Sequence, residues 1–380
     1  MSRPKLFRIS TVPMSLDTFC KGQLKMLSQH FEVVAVSSPE KELEIVGKRE
    51  GVRTVAIPME RHISVFKDVL SLLRMIRLFM KERPTIVHSM TPKAGLVSMI
   101  AAWITRVPVR MHTYTGLVFP TATGLTQKIL ILMDRILCFC ATYINPEGEG
   151  VKRDLQRFHI TKKPLHIIAN GNVRGIDLDY YCRTEEVMAK AADIQDERVF
   201  TFCFVGRVVG DKGINELVTA FDRLSKQSSN LRLILVGRME TELDPLNPVT
   251  LEIIKNNSRI KFSGAQTDVR PFMAASDALV FPSYREGFPN VVLEAGAMGL
   301  PSIVTDINGS NEIIIEGRNG VIIPPRDDNA LYYAMKHFVE HPDVVKEMAV
   351  NSREMVASRY EQKMIWQALL AEYKKQLQGV

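Results

Sequence analysis

Two glutamates, Glu286 and Glu294, flank the segment Glu286-Gly-Phe-Pro-Asn-Val-Val-Leu-Glu294. Paired carboxylates commonly do general acid and base work. A carboxylate also accepts strong hydrogen bonds from the neighbouring hydroxyls of a ribose or a sugar. The spacing places Glu286 before a helix and Glu294 about one turn inside it, so both can face one pocket. There Glu294 suits the two hydroxyls of a ribose, and Glu286, nearer the loop, suits the hydroxyls of a transferred sugar. The N–H groups of Gly287, Phe288 and Asn290 can contact phosphate or sugar, whereas Pro289 has none to offer. A single glutamate in such a position is most often a solvated helix residue. The apolar strand and the glycine-rich turns around this pair favour a site.

A second cluster lies upstream. Phe204-Val-Gly-Arg207 closes an apolar run, and Gly210-Asp-Lys-Gly213 precedes a helical pattern over 214–221. Arg207 and Lys212 therefore stand at a strand end beside a helix start, where backbone N–H groups and the helix dipole already favour anions. A pyrophosphate fits there, and Gly210 and Gly213 let the backbone turn tightly beside it.

These residues need a scaffold that brings strand ends together. Apolar runs of strand length alternate with longer amphipathic segments, the pattern of parallel sheets covered by helices on both faces. The expected strands are 5–11, 32–37, 54–57, 86–89, 109–113, 143–145 and 166–168, then 200–205, 231–236, 260–262, 278–281, 301–305 and 320–323. Helical patterns include 65–81 and 127–140. A chain of 380 residues exceeds what one core usually supports, and Asn170-Gly-Asn-Val-Arg-Gly-Ile-Asp177 reads as the break. The expected fold is α/β, with two doubly wound Rossmann-like domains facing across a cleft. They are 1–175, with a C-terminal helix at about 360–380 packing back on it, and 176–359.

Composition narrows the function. Five scattered cysteines without a Cys-x-x-Cys pair argue against a disulfide framework or a zinc site and fit a reducing cytosol. No apolar run is long enough and free enough of charge to span a bilayer. Charge is uneven: residues 1–175 hold 26 Lys and Arg against 13 Asp and Glu, a net of +13, while residues 176–380 carry a net of −6. The first half is expected to meet an anionic partner. A nucleic acid is not expected, because neither an RNA-binding aromatic motif nor a helix-turn-helix signal accompanies the charge.

The second half resembles the retaining GT-B glycosyltransferases of family 4, the group 1 glycosyltransferases. The resemblance rests on Val205-Gly-Arg207 with Lys212-Gly213, Leu235-Val-Gly237, Phe262-Ser-Gly264, Phe281-Pro-Ser283, Glu286 and Glu294 with Ala295, and Gly299-Leu-Pro301. It implies that Arg207 and Lys212 hold the donor diphosphate, Glu294 the ribose and Glu286 the donor sugar, with Arg238 and Ala265-Gln266 near the base. It further implies front-face transfer with retention, in which Arg207 and Lys212 offset the charge growing on the leaving phosphate. Neither a cofactor nor a metal is then required.

The first half departs from the family pattern. The loop after the first strand, Thr11-Val-Pro-Met-Ser-Leu-Asp17, has no glycine before Gly22, so Ser15 is left to supply a hydroxyl or an N–H group. His88-Ser-Met-Thr-Pro-Lys-Ala-Gly95 resembles a segment of enzymes that build capsule, O-antigen or lipid-linked glycans, which makes His88 and Lys93 candidates for binding the acceptor, Lys93 through a phosphate, its alternative being a helix-start lysine in solvent. His112 is a candidate for contacts near the reacting sugar, its alternative being a hydrogen-bonded core histidine. In 65–81, Lys67, Arg74, Arg77 and Lys81 are mixed with apolar residues, a pattern suited to an anionic bilayer surface as well as to core packing.

The expected function is transfer of a hexose or N-acetylhexosamine from a nucleotide sugar, with uridine as the base, to a polyprenyl-diphosphate-linked or other glycan acceptor. The setting is surface polysaccharide synthesis, cytoplasmic and peripheral on the inner face of the membrane. The alternative is a UDP-N-acetylhexosamine 2-epimerase of the same architecture.

Overall fold

The computed structural model describes residues 3–60, 62, 64–240, 242 and 244–379. The chain forms two compact units. One contains the residues up to Gly175 together with those from Lys363 onward, and the other is Ile176–Gln362.

The first unit is a sheet of six parallel strands: β1 (Lys5–Ile9), β2 (Glu32–Ser37), β3 (Arg53–Ala56), β4 (Ile86–Ser89), β5 (Val109–Tyr114) and β6 (Tyr143–Pro146). Their order across the sheet is β3-β2-β1-β4-β5-β6. Most strand residues are buried, which follows from coverage on both faces. On one face Leu6, Val33, Ala35, Ile86, Val109 and Met111 pack against Leu16, Leu24, Leu43, Leu369, Leu370 and Tyr373, so the final helix, Gln362–Gln378, completes that layer. On the other face Phe7, Ile9, Val34, Val36 and Val87 meet Met75, Phe79, Val97, Ala101 and Leu137, from the helices Val65–Glu82, Pro92–Ile104 and Gly124–Cys140.

The second unit repeats the plan with β7 (Phe200–Val205), β8 (Leu231–Val236), β9 (Ile260–Gly264), β10 (Ala278–Phe281), β11 (Ser302–Thr305) and β12 (Gly320–Ile323). The order is β12-β11-β10-β7-β8-β9, all parallel. Read from the other edge, it is the order of the first sheet. In each unit the chain direction across the sheet reverses beside the first strand, between β1 and β4 or between β7 and β10. Open α/β sheets bind ligands at such switch points, beyond the carboxyl ends of the strands.

One expected strand is absent. Residues 166–168 make no seventh strand: Ile144 and Leu165 form a single bridge, His166 N donates to Ile144 O at 3.1 Å, and Ala169 at φ 51° turns the chain away.

Candidate active site

In the second unit the sequence places charge at the switch point. After β7 the chain passes through Gly206 and Arg207 to a 3₁₀ turn, Gly210–Lys212, and Gly213 at φ 69° starts the helix Ile214–Ser225. A left-handed residue is required there, and only glycine takes it without cost. Space also demands glycine, because a Cβ on Gly213 would lie 2.1 Å from the Pro282 carbonyl oxygen at the end of β10. The two loops of the switch point are thus in backbone contact. Tyr284 N donates to Asp211 O at 2.9 Å across the same seam.

This contact sets the charged groups together. Lys212 Nζ donates to Glu286 Oε1 in an ion pair that is mostly shielded from solvent, and Ser283 Oγ donates to the same oxygen at 3.1 Å. Lys212 Nζ also lies 5.6 Å from the Phe281 ring centroid. Ser283 is itself held, since Thr305 Oγ1 at the end of β11 donates to its carbonyl at 2.5 Å. Arg207, half exposed, pairs with Glu240 at 2.9 Å. Glu294 sits in the helix Asn290–Ala297 and is only 9% exposed, so it is not a solvated helix residue. Gly287 and Phe288 are buried and Asn290 is half-buried. Arg238 and Gln266 are both exposed beyond β8 and β9, with Gln266 Nε2 donating to Ser263 O at 2.7 Å.

Such a cluster can do two things chemically. Its cations and turn N–H groups can hold a diphosphate, and its carboxylates can grip hydroxyls. Among the described residues no group of three or more His, Cys, Asp or Glu is arranged to hold a metal ion. The sequence does contain an Asp-x-Asp triplet, Asp177-Leu-Asp179, but Asp177 Oδ1 accepts from the N–H groups of Asp179 and Tyr180 at 3.1 and 3.0 Å and so closes its own turn.

Comparison with known proteins assigns this architecture. Residues 23–171 match the family described as "Glycosyl transferase 4-like domain" and residues 199–341 the one described as "Glycosyl transferases group 1". The chain is 32% identical over 376 residues to the capsular polysaccharide biosynthesis glycosyltransferase CapM of Staphylococcus aureus, covering 98% of this chain and 97% of that protein. This chain belongs to the group 1 glycosyltransferases. It is also 26% identical over 373 residues to the UDP-Gal:alpha-D-GlcNAc-diphosphoundecaprenol alpha-1,3-galactosyltransferase of Escherichia coli, with 93% of each chain covered. Its fold is the GT-B fold, as in the crystal structure of Anabaena Alr3699/HepE in complex with UDP, which superposes with a TM-score of 0.82 at 17% identity over 98% of this chain and 100% of that one. The epimerase alternative gives way to a glycosyltransferase.

The first unit of the transferase differs from expectation at its histidines. His88 is buried on β4 and faces the final helix: its Nδ1 lies 2.5 Å from Tyr373 Oη and accepts from Arg8, and its Nε2 lies 2.7 Å from Thr113 Oγ1. Burial, reinforced by Arg8, lowers its pKa well below the usual histidine value, so it is a neutral, hydrogen-bonded core group. His112 is 1% exposed. Its Nδ1 bonds Ser89 Oγ at 2.8 Å, and the ring is so close to Gly95 that a Cβ there would lie 2.4 Å from Cε1. Burial lowers its pKa to about 3, and the hydrogen-bonded core histidine is the arrangement the structure contains. Lys93 is buried as well, donating to both carboxylate oxygens of Asp68 at 2.6 Å and to His62 O at 2.8 Å, so its charge is already matched. Ser15 remains half-buried and lines a cavity at the carboxyl edge of this sheet.

Several supporting residues escaped the sequence reading. Asp244 Oδ2 accepts from Asp211 N at 2.6 Å and holds the 3₁₀ turn, yet nothing but an Asp-Pro turn signal marks it. Gly309, at φ 77°, lets its loop approach so closely that a Cβ would lie 2.6 Å from Phe288 Cα and 2.7 Å from Gly287 O. Tyr284 Oη donates to Glu216 at 2.6 Å, and Arg326 lies over the Tyr284 ring at 4.6 Å, bracing the loop that carries Glu286.

Proposed function

We propose that this transferase moves a hexose or N-acetylhexosamine, with retention, from a UDP sugar to a lipid-linked glycan acceptor in surface polysaccharide synthesis. The observation that carries this reading is the meeting of Lys212 and Glu286 at the β7/β10 switch point, with Arg207 on the adjoining loop and Glu294 on the helix that follows. In this reading Lys212 and Arg207 hold the diphosphate and offset its charge as the sugar leaves. Glu294 accepts from the ribose, Glu286 from the donor sugar, and Arg238 and Gln266 stand near the base. No metal or cofactor is assigned, since the two cations supply the charge a metal ion would bring. The names of the Staphylococcus and Escherichia relatives support the polysaccharide setting and the lipid-linked acceptor.

A membrane-surface location belongs to the same proposal. Among the described residues no helix is long and apolar enough to cross a membrane. Two helices on one face of the first sheet nevertheless turn apolar residues outward. In Val65–Glu82 the buried stripe is Ser71, Met75 and Phe79, while Phe66, Val69, Leu73 and Met80 are exposed beside the exposed Arg74, Arg77 and Lys81. In Gly124–Cys140 the exposed set is Leu125, Ile129, Leu132, Ile136 and Phe139, at helical spacing of three and four. Apolar stripes flanked by cations suit an anionic bilayer surface.

The test is direct. The purified protein is titrated with UDP, ADP and GDP sugars by calorimetry, and the preferred donor is then supplied with an N-acetylglucosaminyl diphospholipid. Transfer with the anomeric configuration of the donor kept, as read by NMR of the product, is the expected result. Inversion, or donor binding unaltered by Lys212→Ala, refutes the reading.

A further inference from the structure

At the carboxyl edge of the first sheet lies a cavity of about 360 Å3, lined by Thr11, Ser15, Lys93, Tyr114 and Asp134 and walled by Leu96, Leu117, Val118, Leu130 and Met133. Its size falls within the range of about 300–1,000 Å3 usual for small-ligand sites. The cavity stands beside the β1/β4 switch point, where Thr11 Oγ1 and Thr91 Oγ1 are 2.8 Å apart. Among its described lining residues the carboxyl is Asp134, on the helix Gly124–Cys140.

Asp134 is poorly satisfied for a carboxyl in such a place. Tyr114 Oη donates to Oδ1 at 3.3 Å, and among the described residues no donor reaches Oδ2. Asp134 is half-buried, and a carboxyl partly withdrawn from water ordinarily accepts several hydrogen bonds or pairs with a cation. Among the described residues the cation lining the cavity is Lys93, and it is already held by both oxygens of Asp68. The other titratable neighbours are Tyr114 itself and Cys138, whose Sγ is 3.2 Å from Tyr114 Oη; the His112 ring packs edge-on against Tyr114. The rest of the described lining is mostly apolar. The walls ask for an apolar group and the floor for one hydrogen-bond donor.

An acetamido group has that combination: its N–H can donate to the carboxyl while its methyl lies against Leu96, Leu130 and Met133. We infer that this cavity is a subsite for the N-acetyl group of an N-acetylhexosamine in the acceptor, and that Asp134 is the residue that selects it. Ser15 Oγ is available to the acetyl carbonyl from the β1 side. The low charge of the cavity fits a neutral sugar. Burial, which raises the Asp134 pKa to about 7, lets the same carboxyl donate as well as accept near neutrality.

This inference rests on the reading of the first unit as the acceptor side, and one experiment separates the two. The full-length protein is titrated, by ligand-observed NMR, with N-acetylglucosamine, N-acetylgalactosamine, glucose, glucosamine and geraniol, and UDP binding is measured in the same samples. The expected result is binding of at least one N-acetylhexosamine tenfold or more tighter than the sugar lacking the acetyl group. That preference should fall about tenfold in Asp134→Asn and vanish in Leu130→Trp, which fills the cavity, while both variants retain UDP binding and cooperative unfolding. UDP binding without any preference for the N-acetyl sugars overturns the subsite, as does an unchanged preference in both variants. Geraniol bound in place of the sugars makes the cavity a lipid site and also overturns it. Failure of the wild type to bind UDP strikes the proposed function instead.

Discussion

The seam between the Gly210–Gly213 turn and the end of β10 is the joint of the proposed donor side, and one methyl group tests it. In Gly213→Ala the alanine must adopt φ near 69°, which costs an L-residue about 1–2 kcal/mol. Its Cβ would also sit 2.1 Å from Pro282 O and 2.9 Å from Pro282 C. Both are backbone atoms, so no rotamer change relieves the contact, and the turn and β10 must separate by about 1 Å to restore an ordinary van der Waals distance. Separation strains the Tyr284 N to Asp211 O bond of 2.9 Å, worth about 1 kcal/mol, and pulls Lys212 away from Glu286. With about 1–2 kcal/mol for the overpacking itself, the total is about 3–5 kcal/mol, or roughly 6–20 °C in Tm for a unit of this size. Gly317→Ala is the control: its φ is 73° but nothing lies within 4 Å of the added Cβ, so it bears the conformational cost alone and loses about 2–8 °C. The assay is calorimetric unfolding of both variants with and without UDP. Gly213→Ala should melt well below Gly317→Ala and lose the stabilisation by UDP that the control keeps. Equal losses in Tm, with UDP stabilisation intact in both, would show that the seam neither bears strain nor shapes the donor site.

Three further outcomes follow from the same geometry. Lys212→Ala and Glu294→Ala should each reduce kcat/KM for the donor more than tenfold, since each removes a charged contact worth about 1.5–3 kcal/mol; unchanged kinetics in both folded variants would remove these residues from the donor site. Neutralising Lys67, Arg74, Arg77 and Lys81 together should release the protein from vesicles containing phosphatidylglycerol, at about 1 kcal/mol per cation or roughly a hundredfold or more in partition; retention by the vesicles, measured by sedimentation, would count against the membrane face. Asp134→Asn should stabilise the protein at pH 8 and leave it unchanged at pH 4. The carboxyl pKa is raised from 3.8 to about 7 by burial, so the unfolded chain releases this proton first, and stability falls as pH rises between those values, by an upper bound of about 4 kcal/mol. A variant that melts at the wild-type temperature throughout that range would show that Asp134 carries no such cost.

Much of the architecture is legible in the sequence because buried parallel strands are written as continuous apolar runs. Six of the twelve strands, among them β2, β4, β7 and β10, span the same residues in the sequence reading and in the structure, and the charged motifs stand out because they interrupt such runs at their carboxyl ends. What depends on distant packing is not legible. Nothing local says which face of β4 His88 points from, and it points toward Tyr373, 285 residues away. The ion pair that occupies Lys93 comes from Asp68 on another helix, so the lysine looks available in the sequence and is spent in the fold. Asp244 and Gly309 act through a hydrogen bond and a close backbone approach that no motif encodes. The amphipathic pattern of 65–81 is ambiguous for another reason: the helix has two apolar sides, and periodicity alone identifies just the one that the core takes.

The two sheets share a strand order, yet their switch points are chemically opposite, and that contrast bears on how the two units divide the work. At β7/β10 Lys212 and Glu286 form an ion pair, with Arg207 on the loop after β7 and Glu294 on the helix Asn290–Ala297, a set suited to a ligand that is both charged and rich in hydroxyls. At β1/β4 the facing groups are Thr11 and Thr91, hydrogen-bonded to each other, and the nearest lysine is neutralised by Asp68. Much of the excess of 13 positive charges in residues 1–175 lies away from that unit's own switch point. Arg74, Arg77 and Lys81 are among the charges it leaves on an outer helix, beside exposed apolar side chains, where they suit a surface that is anionic and apolar at once. The proposed ligand of the first unit's cavity is accordingly a neutral sugar group, and the charged outer helix is the face proposed to meet the membrane surface.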